Sequence, residues 1–303
     1  MITGADVNEL FPEVLWKMRA SSFVEESRNG LVKTITYPIM IKTLLPKRRV
    51  LFCADRKENP YFHFFECLWM MAGRKDSEWL EQWNPRMKEY AEEDGLIHGA
   101  YGHRWRFQFS FDQILAAVQV LRNDPTSRRA VISMWDAFTD LDSDKKDLPC
   151  NTHIYLRVVD GALNMTICNR SNDLVWGALG SNIVHFSFLQ ELIAWELKIP
   201  VGFMYQFTNN LHIYERHWHF LDIPPVTESY SALGVRTYPI ISTSLNSWLG
   251  ECEEFLNGMR SDFIDPFFNE VAVPLARKEP QNCKAKDWAL ACARYDQRRK
   301  LEH

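Results

Sequence analysis

Apolar residues recur at helical spacing near the start of the chain. Leu10, Val14, Leu15 and Met18 share a face, which predicts a helix over residues 9–18 with Pro12 in its first turn. Arg28-Asn29-Gly30 is a turn signal, and the β-branched run after it predicts a strand. Residues 59–73, NPYFHFFECLWMMAG, predict a nearly continuous apolar helix, entered by Pro60 and stopped by Gly73. Glu66 sits among Phe64, Phe65, Leu68 and Trp69. A carboxylate there is expensive to bury unless paired or hydrogen-bonded. It is either a satisfied structural group or a general acid/base whose pKa the apolar neighbours raise.

Residues 77–83 read as a short helix, interrupted by Asn84-Pro85 and followed by charged turns that end at Asp94-Gly95. GAYGHRWR (99–106) reads as a loop with two glycines around Tyr101: a plain turn, or a place where backbone approaches something closely. Residues 111–123 predict an amphipathic helix. TSRRAVISMW (126–135) predicts a strand opened by Arg128 and Arg129, and 136–147 an acidic loop. Two alternating runs around Asp160-Gly161 predict a hairpin. Residues 185–197 predict an apolar helix and 204–208 a strand. His212 and Tyr214 then share one face if extended. Residues 238–245 look strand-like, 246–258 helical and 286–300 helical. No internal repeat or linker interrupts the chain. The pattern predicts one α+β domain over residues 1–300, with antiparallel strands covered by long helices. Leu301-Glu302-His303 resembles the stump of an expression tag.

Composition narrows the picture little. Hydrophobic residues make up 46% and charged residues 24%, ordinary for a globular chain with a sizeable core. A net charge of −4 argues against a broad nucleic-acid face. No apolar run approaches the ~20 residues of a membrane helix, and the N-terminus lacks a secretory pattern. The seven cysteines are scattered, without CxxC or Cys/His ladders. That predicts free thiols, a reducing cytoplasm and no metal.

Candidate chemistry concentrates in residues 148–173, LPCNTHIYLRVVDGALNMTICNRSND. Cys150 stands at one end, and Arg170, Ser171, Asn172 and Asp173 at the other. A phosphate-bearing substrate attacked by a thiolate needs both a soft nucleophile and an anion grip. Adjacent Arg128 and Arg129 face opposite sides of a strand, so they grip one phosphate only from a strand end or across to a partner subunit.

In order along the chain, SRR (127–129), LPC (148–150), DG (160–161), RSND (170–173), the Gly-rich stretch ending in Asn182, and LHIY (211–214) resemble the folate-dependent thymidylate synthase family. Glu66 in its apolar helix and Tyr101 between glycines add to the likeness, which runs from about residue 28 to 218 and includes the family's pyrimidine-nucleotide hydroxymethylase branch. The resemblance implies a homodimer joined through its sheet and 5,10-methylenetetrahydrofolate as co-substrate. By resemblance, Cys150 adds to C6 of the pyrimidine, and Glu66 and Tyr101 assist proton transfers. Arg28, Arg170, Ser171 and a partner subunit's pair equivalent to Arg128 and Arg129 hold the phosphate. Asn182 reads the base, His212 and Tyr214 hold the sugar, and Asp173 binds the pterin. The expected partners are a pyrimidine nucleoside monophosphate and folate, with no nucleic acid or membrane.

The departures from the synthase pattern carry information. Asn151 follows the cysteine where the synthases usually have histidine, and Asn210 replaces an aspartate. The Gly-rich stretch is one residue longer, so Ser181 competes with Asn182 for the base-reading position. The tryptophan that shields the reacting methylene in synthases aligns with Met87, with Tyr90 the next aromatic and Trp83 a turn away. The synthases' apolar closing tail is not evident. Together these imply a 5-hydroxymethylase, with dUMP favoured by the Asn182 amide and dCMP or CMP next. The alternatives are a methylating synthase and an inactive nucleotide-binding homologue. The compartment expected is the cytoplasm, that of the host if the gene is a phage's.

Overall fold

The computed structural model describes residues 1–240, 244–259 and 262–302. Among the described residues ten short strands form two sheets: β1 (Ile2–Gly4), β2 (Ser22–Ser27), β3 (Gly30–Ile35), β4 (Ile39–Thr43), β5 (Val131–Ser133), β6 (Asn151–Val159), β7 (Ala162–Asn169), β8 (Asn172–Asp173), β9 (Val201–Thr208) and β10 (Leu211–Tyr214). The larger sheet has the order β1-β4-β9-β7-β6-β5, and the smaller β2-β3-β10-β8. Both are mixed: β1–β4, β7–β9 and β8–β10 run parallel, and the other pairs antiparallel.

Alternation gives the large sheet two unlike faces. Ile41, Ile132, Ile154, Leu156, Met165, Ile167 and Met204 point into the core. Val131, Tyr155, Phe203 and Phe207 point the other way and stay exposed. The helix Asn182–Glu196 lies on the buried face, and a second helix, Pro60–Met71, packs on it in turn. Every residue of Pro60–Met71 is buried. A helix apolar all round has to be central. Its start is fixed by Pro60 and by Asn59, whose side chain accepts from Phe62 N at 3.2 Å, and Gly73 (φ +72°) ends it.

The first helix runs Val7–Ser21, longer than the periodicity predicts, so Pro12 lies inside it rather than in its first turn. The carbonyl that Pro12 cannot bond, Asn8 O, accepts instead from the Thr227 hydroxyl at 2.7 Å. The hairpin β6–β7 turns on Asp160 and Gly161, both at positive φ, as a tight primed turn requires.

Four local expectations are corrected. Only Val131–Ser133 of 126–135 is strand, and Arg128 and Arg129 precede it. Residues 99–106 are largely helical: Tyr101–His103 runs into a π-turn at Arg104–Gln108. Gly102 is there because a Cβ would sit 1.9 Å from Met70 O, so the close approach is to the chain's own central helix. The 136–147 loop contains a short helix, Ala137–Asp140. Of residues 238–245, 238–240 are irregular, Leu245 opens the helix Leu245–Leu256, and 241–243 lie outside the described residues. At the C-terminus the helix Lys286–Glu302 includes Leu301 and Glu302, while His303 lies outside the described residues.

Candidate active site

The β6–β7 hairpin brings the two ends of the chemical segment together. Asn151 pairs with Asn169, which makes Cys150 and Arg170 the next residues across. Arg170 N donates to Cys150 O at 2.9 Å. Its Nε donates to Pro149 O at 2.9 Å, and its Nη2 lies 3.9 Å from the Cys150 thiol. Arg28, at the tip of the β2–β3 hairpin, donates to Lys146 O at 3.1 Å and adds positive charge beside the same thiol. Ser171 follows, half-buried. Cys150 is half-buried, and burial pushes its thiol above the ordinary range; Arg170 and Arg28 oppose this, while Asp147 and Asp173 reinforce it. Burial therefore outweighs the two guanidiniums, which on their own would lower the thiol.

Tyr101 faces Cys150 from the other side. The backbone amides of Cys150 and Asn151 lie against its hydroxyl, yet burial holds it far above the usual phenol range, so it is a neutral donor. Its position is set one turn later. Arg104 is fully buried, donates bidentately to Asp140 (2.7 and 2.8 Å) and also donates to Met134 O and His98 O.

Glu66 projects from the central helix toward the Asn182–Glu196 helix. Burial alone would raise its pKa, but His185, His63 and the Ser181 hydroxyl outweigh burial, and the carboxyl lies below its ordinary value. The expected upward shift is thus reversed, because the decisive neighbours are polar. His185 Nε2 lies 3.2 Å from Glu66 Oε2. Sequence reasoning missed His63 and His185, and weighed Ser181 only as a rival to Asn182 for the base. A signal existed: His63 stands three residues before Glu66 and His185 four after Ser181, each on one helical face.

The Gly-rich stretch Leu174–Ser181 starts helically and kinks at Leu179 and Gly180, whose backbone is not helical. That kink separates the roles of the two competing residues. Ser181 Oγ is engaged by His63 Nδ1 at 2.9 Å. Asn182 enters an amide network instead: its Nδ2 donates to Asn172 Oδ1 at 3.1 Å, and its Oδ1 accepts from Asn151 Nδ2 at 3.5 Å. Asn172 donates onward to Gln206 Oε1. Asp173 accepts from Val175 N at 2.9 Å, and burial raises its carboxyl while His212 opposes. His212 and Tyr214 stand edge to face, centroids 5.2 Å apart, and Asn210 Oδ1 lies 3.0 Å from His212 Nδ1.

Two groups stand apart. Arg128 and Arg129 are exposed ahead of the edge strand β5. Met87 is half-buried on the turn Pro85–Tyr90, packed on the core, while Trp83 stacks on Phe65 at 3.9 Å. A cavity of about 1050 Å³ between Leu121, Trp195 and Pro200 contains none of the residues gathered around Cys150. Among the described residues no cluster could hold a metal ion and no helix is long and apolar enough to cross a membrane. The seven cysteines are unpaired, and only Cys150 and Cys168 are not fully buried.

The thymidylate synthase family model matches residues 24–225, spanning every group gathered around Cys150. The chain belongs to the thymidylate synthase family. Its α+β fold is of thymidylate synthase type, and it is a one-carbon transferase whose co-substrate is 5,10-methylenetetrahydrofolate. Among similar proteins, a deoxyuridylate hydroxymethyltransferase of Pseudomonas phage M6 is 37% identical across 99% of this chain and 94% of its own. One of Bacillus phage SP01 is 33% identical across 70% of this chain and 58% of its own. A thymidylate synthase of Corynebacterium aurimucosum is 33% identical across 52% of this chain and 60% of its own. Two polar groups there keep capacity for a bound molecule: the half-buried Asp173 carboxyl, and Asn151 Oδ1, which has no hydrogen-bond partner among the described residues.

Proposed function

We propose that the enzyme converts dUMP to 5-hydroxymethyl-dUMP. The observation that carries this is a buried amide, Asn182, bonded to Asn151 next to Cys150 and its arginines, and tethered through one N–H and one weak acceptor contact. The amide keeps a second N–H and a lone pair for a base. Uracil presents an acceptor at O4 and a donor at N3, which such an amide satisfies; cytosine presents the reverse. The two phage relatives named above as deoxyuridylate hydroxymethyltransferases support the same substrate.

In this reading Arg28, Arg170 and Ser171 hold the phosphate, and His212 and Tyr214 the sugar hydroxyl. Cys150 adds to C6 and makes C5 electron-rich; the folate supplies the one carbon that C5 attacks. Asn182 donates to O4 as charge develops there. Tyr101 stays neutral and donates beside the thiol, Glu66 exchanges protons near C4 and the new carbon, and Asp173 meets the pterin. Met87, in place of an aromatic shield, leaves the exocyclic methylene open to water.

The exposed face of the large sheet, with Val131, Tyr155, Phe203 and Phe207, supports a homodimer built on that surface. Arg128 and Arg129, at its β5 edge, then reach the partner's phosphate site. Sedimentation would give twice the 35.6 kDa chain mass. The compartment is the cytoplasm, that of an infected host if the gene is viral.

The test is mass spectrometry of product from dUMP, dCMP and CMP with methylenetetrahydrofolate. We expect a hydroxymethyl product from dUMP, no dihydrofolate absorbance, and loss of both product and C5 tritium release in Cys150→Ala. Thymidylate with dihydrofolate would make it a methylating synthase, and no tritium release would make it a binding protein only.

A further inference from the structure

Beside Glu66 runs a chain of polar groups that the reaction as proposed has not used. The Ser181 hydroxyl faces the carboxylate and lies 2.9 Å from His63 Nδ1. The other ring nitrogen of His63 is 3.4 Å from Glu58 Oε2. Glu58 pairs with Arg56 and lines a cleft of about 340 Å³ together with Arg294 and Arg298. On the opposite side His185, 1% exposed, sets Nε2 3.2 Å from Glu66 Oε2. These side chains lie where the starts of the helices Pro60–Met71 and Asn182–Glu196 meet. Packing alone does not call for them there, since a buried polar group is costly unless it is satisfied.

We propose that Ser181, His63 and Glu58, backed by His185, form a proton relay from Glu66 to the Glu58 cleft that allows water to complete the reaction. The proposal rests on the dUMP hydroxymethylase reading. Water oxygen bonds to the exocyclic methylene carbon, and the C5–methylene π electrons move onto C4–O4 as an enolate. The water's proton passes to Glu66, then through the Ser181 hydroxyl and the His63 ring toward Glu58. The enolate collapses to the C5–C6 double bond and expels Cys150 as thiolate, which regains a proton. Nothing is oxidised or reduced, and tetrahydrofolate leaves unchanged. His185 is a positioning residue: it holds the carboxylate ionised and aimed.

The experiment uses the full-length enzyme, 5-tritiated dUMP, methylenetetrahydrofolate and 2-mercaptoethanol. Tritium release reports every step up to the exocyclic methylene. The soluble thiolate adds to that methylene without needing a proton relay, so failed water capture appears as a thioether. Ser181→Ala and His63→Gln are expected to lower hydroxymethyl product about 10-fold or more. Tritium release and KM for dUMP should stay within about two-fold, the difference appearing as thioether. His185→Gln, which frees Glu66 itself, should instead lower product and tritium release together. In Ser181→Ala and His63→Gln, product and tritium release falling in parallel, or product unchanged in both, would overturn the relay while the activity reading stood. Thymidylate and dihydrofolate from the unsubstituted enzyme would overturn both. Ser181→Ala removes a single hydroxyl, so a fold lost in His63→Gln leaves the test intact.

Discussion

Removing the Asp140 carboxylate measures how firmly Tyr101 is held. Arg104 and Asp140 are 0% and 1% exposed and meet in two parallel hydrogen bonds. Asp140 also accepts from Asp136 N at 2.9 Å, and His98 Nε2 lies 2.8 Å from it. Asp140→Ala leaves the guanidinium buried without its counter-charge, which costs about 3–5 kcal/mol. An unfolding entropy of roughly 0.6 kcal/mol/K, scaled from about 2.1 cal/mol/K per residue, turns that into a Tm drop of about 5–8 °C. The sign with pH is fixed as well. Burial works against the Asp140 carboxylate, but Arg104, the Asp136 amide and His98 bring its pKa below the ordinary carboxylate value. Its contribution is therefore complete above the unfolded value of about 3.9 and is lost as pH falls through the folded one. Calorimetry of both proteins at neutral pH and in acid should show the gap closing below about pH 4. A neutral-pH shift under about 2 °C, or a gap that widens in acid, would refute the reasoning. Tyr101 lies one turn from Arg104, so kcat should fall more than KM rises.

Arg170→Met removes the main charge that opposes burial at Cys150, so the thiol should titrate higher still and its alkylation by iodoacetamide near pH 8 should slow several-fold. An unchanged rate would mean the guanidinium does not act on the sulfur. Asn182→Asp sets a carboxylate oxygen against Asn172 Oδ1, now 3.1 Å from the Asn182 donor; it should cost about 1–3 kcal/mol and move kcat/KM from dUMP toward dCMP. Retained dUMP preference would remove Asn182 from base reading. Gly102→Ala drives a methyl into the Met70 carbonyl and should lower soluble yield and Tm more than any surface substitution; a normal melt would show the two backbones can separate.

What the sequence made legible was local. Helix 59–73 announces its cap, its proline and its stop within fifteen letters, and the structure forms it over Pro60–Met71. The β6–β7 hairpin is legible because Asp160-Gly161 permits one turn geometry. Signals that depend on distant partners were read less well. Gly102 looked like a loop glycine; it is a helix contact whose other half lies in Met70. Glu66 was visible among aromatics, but the groups that reverse its shift, His185 and Ser181, lie far along the chain. At Cys150 the arginines could be counted but not its burial, and burial decides the direction.

Those two reversals make one statement about pH. A carboxylate raised toward neutrality by apolar walls would lose its base form as pH fell, and give product formation an acid limb between about pH 5 and 7. Glu66 is shifted the other way: buried, yet held ionised by His185, His63 and Ser181. It should remain a base through that window. Cys150 is shifted up, with Asp147 and Asp173 adding to burial and Arg170 and Arg28 opposing, so its ionisation lies on the alkaline side. The rate constant for C5 tritium release should therefore climb with pH through neutrality, following the thiol. Arg170→Met should displace that climb upward, and Glu66→Gln should lower its height without moving it. Tyr101, raised further still, stays protonated throughout and adds no limb of its own. A bell with its acid side between about pH 5 and 7, abolished by Glu66→Gln, would show that the carboxyl titrates as an apolar-pocket acid and that His185 does not hold its charge.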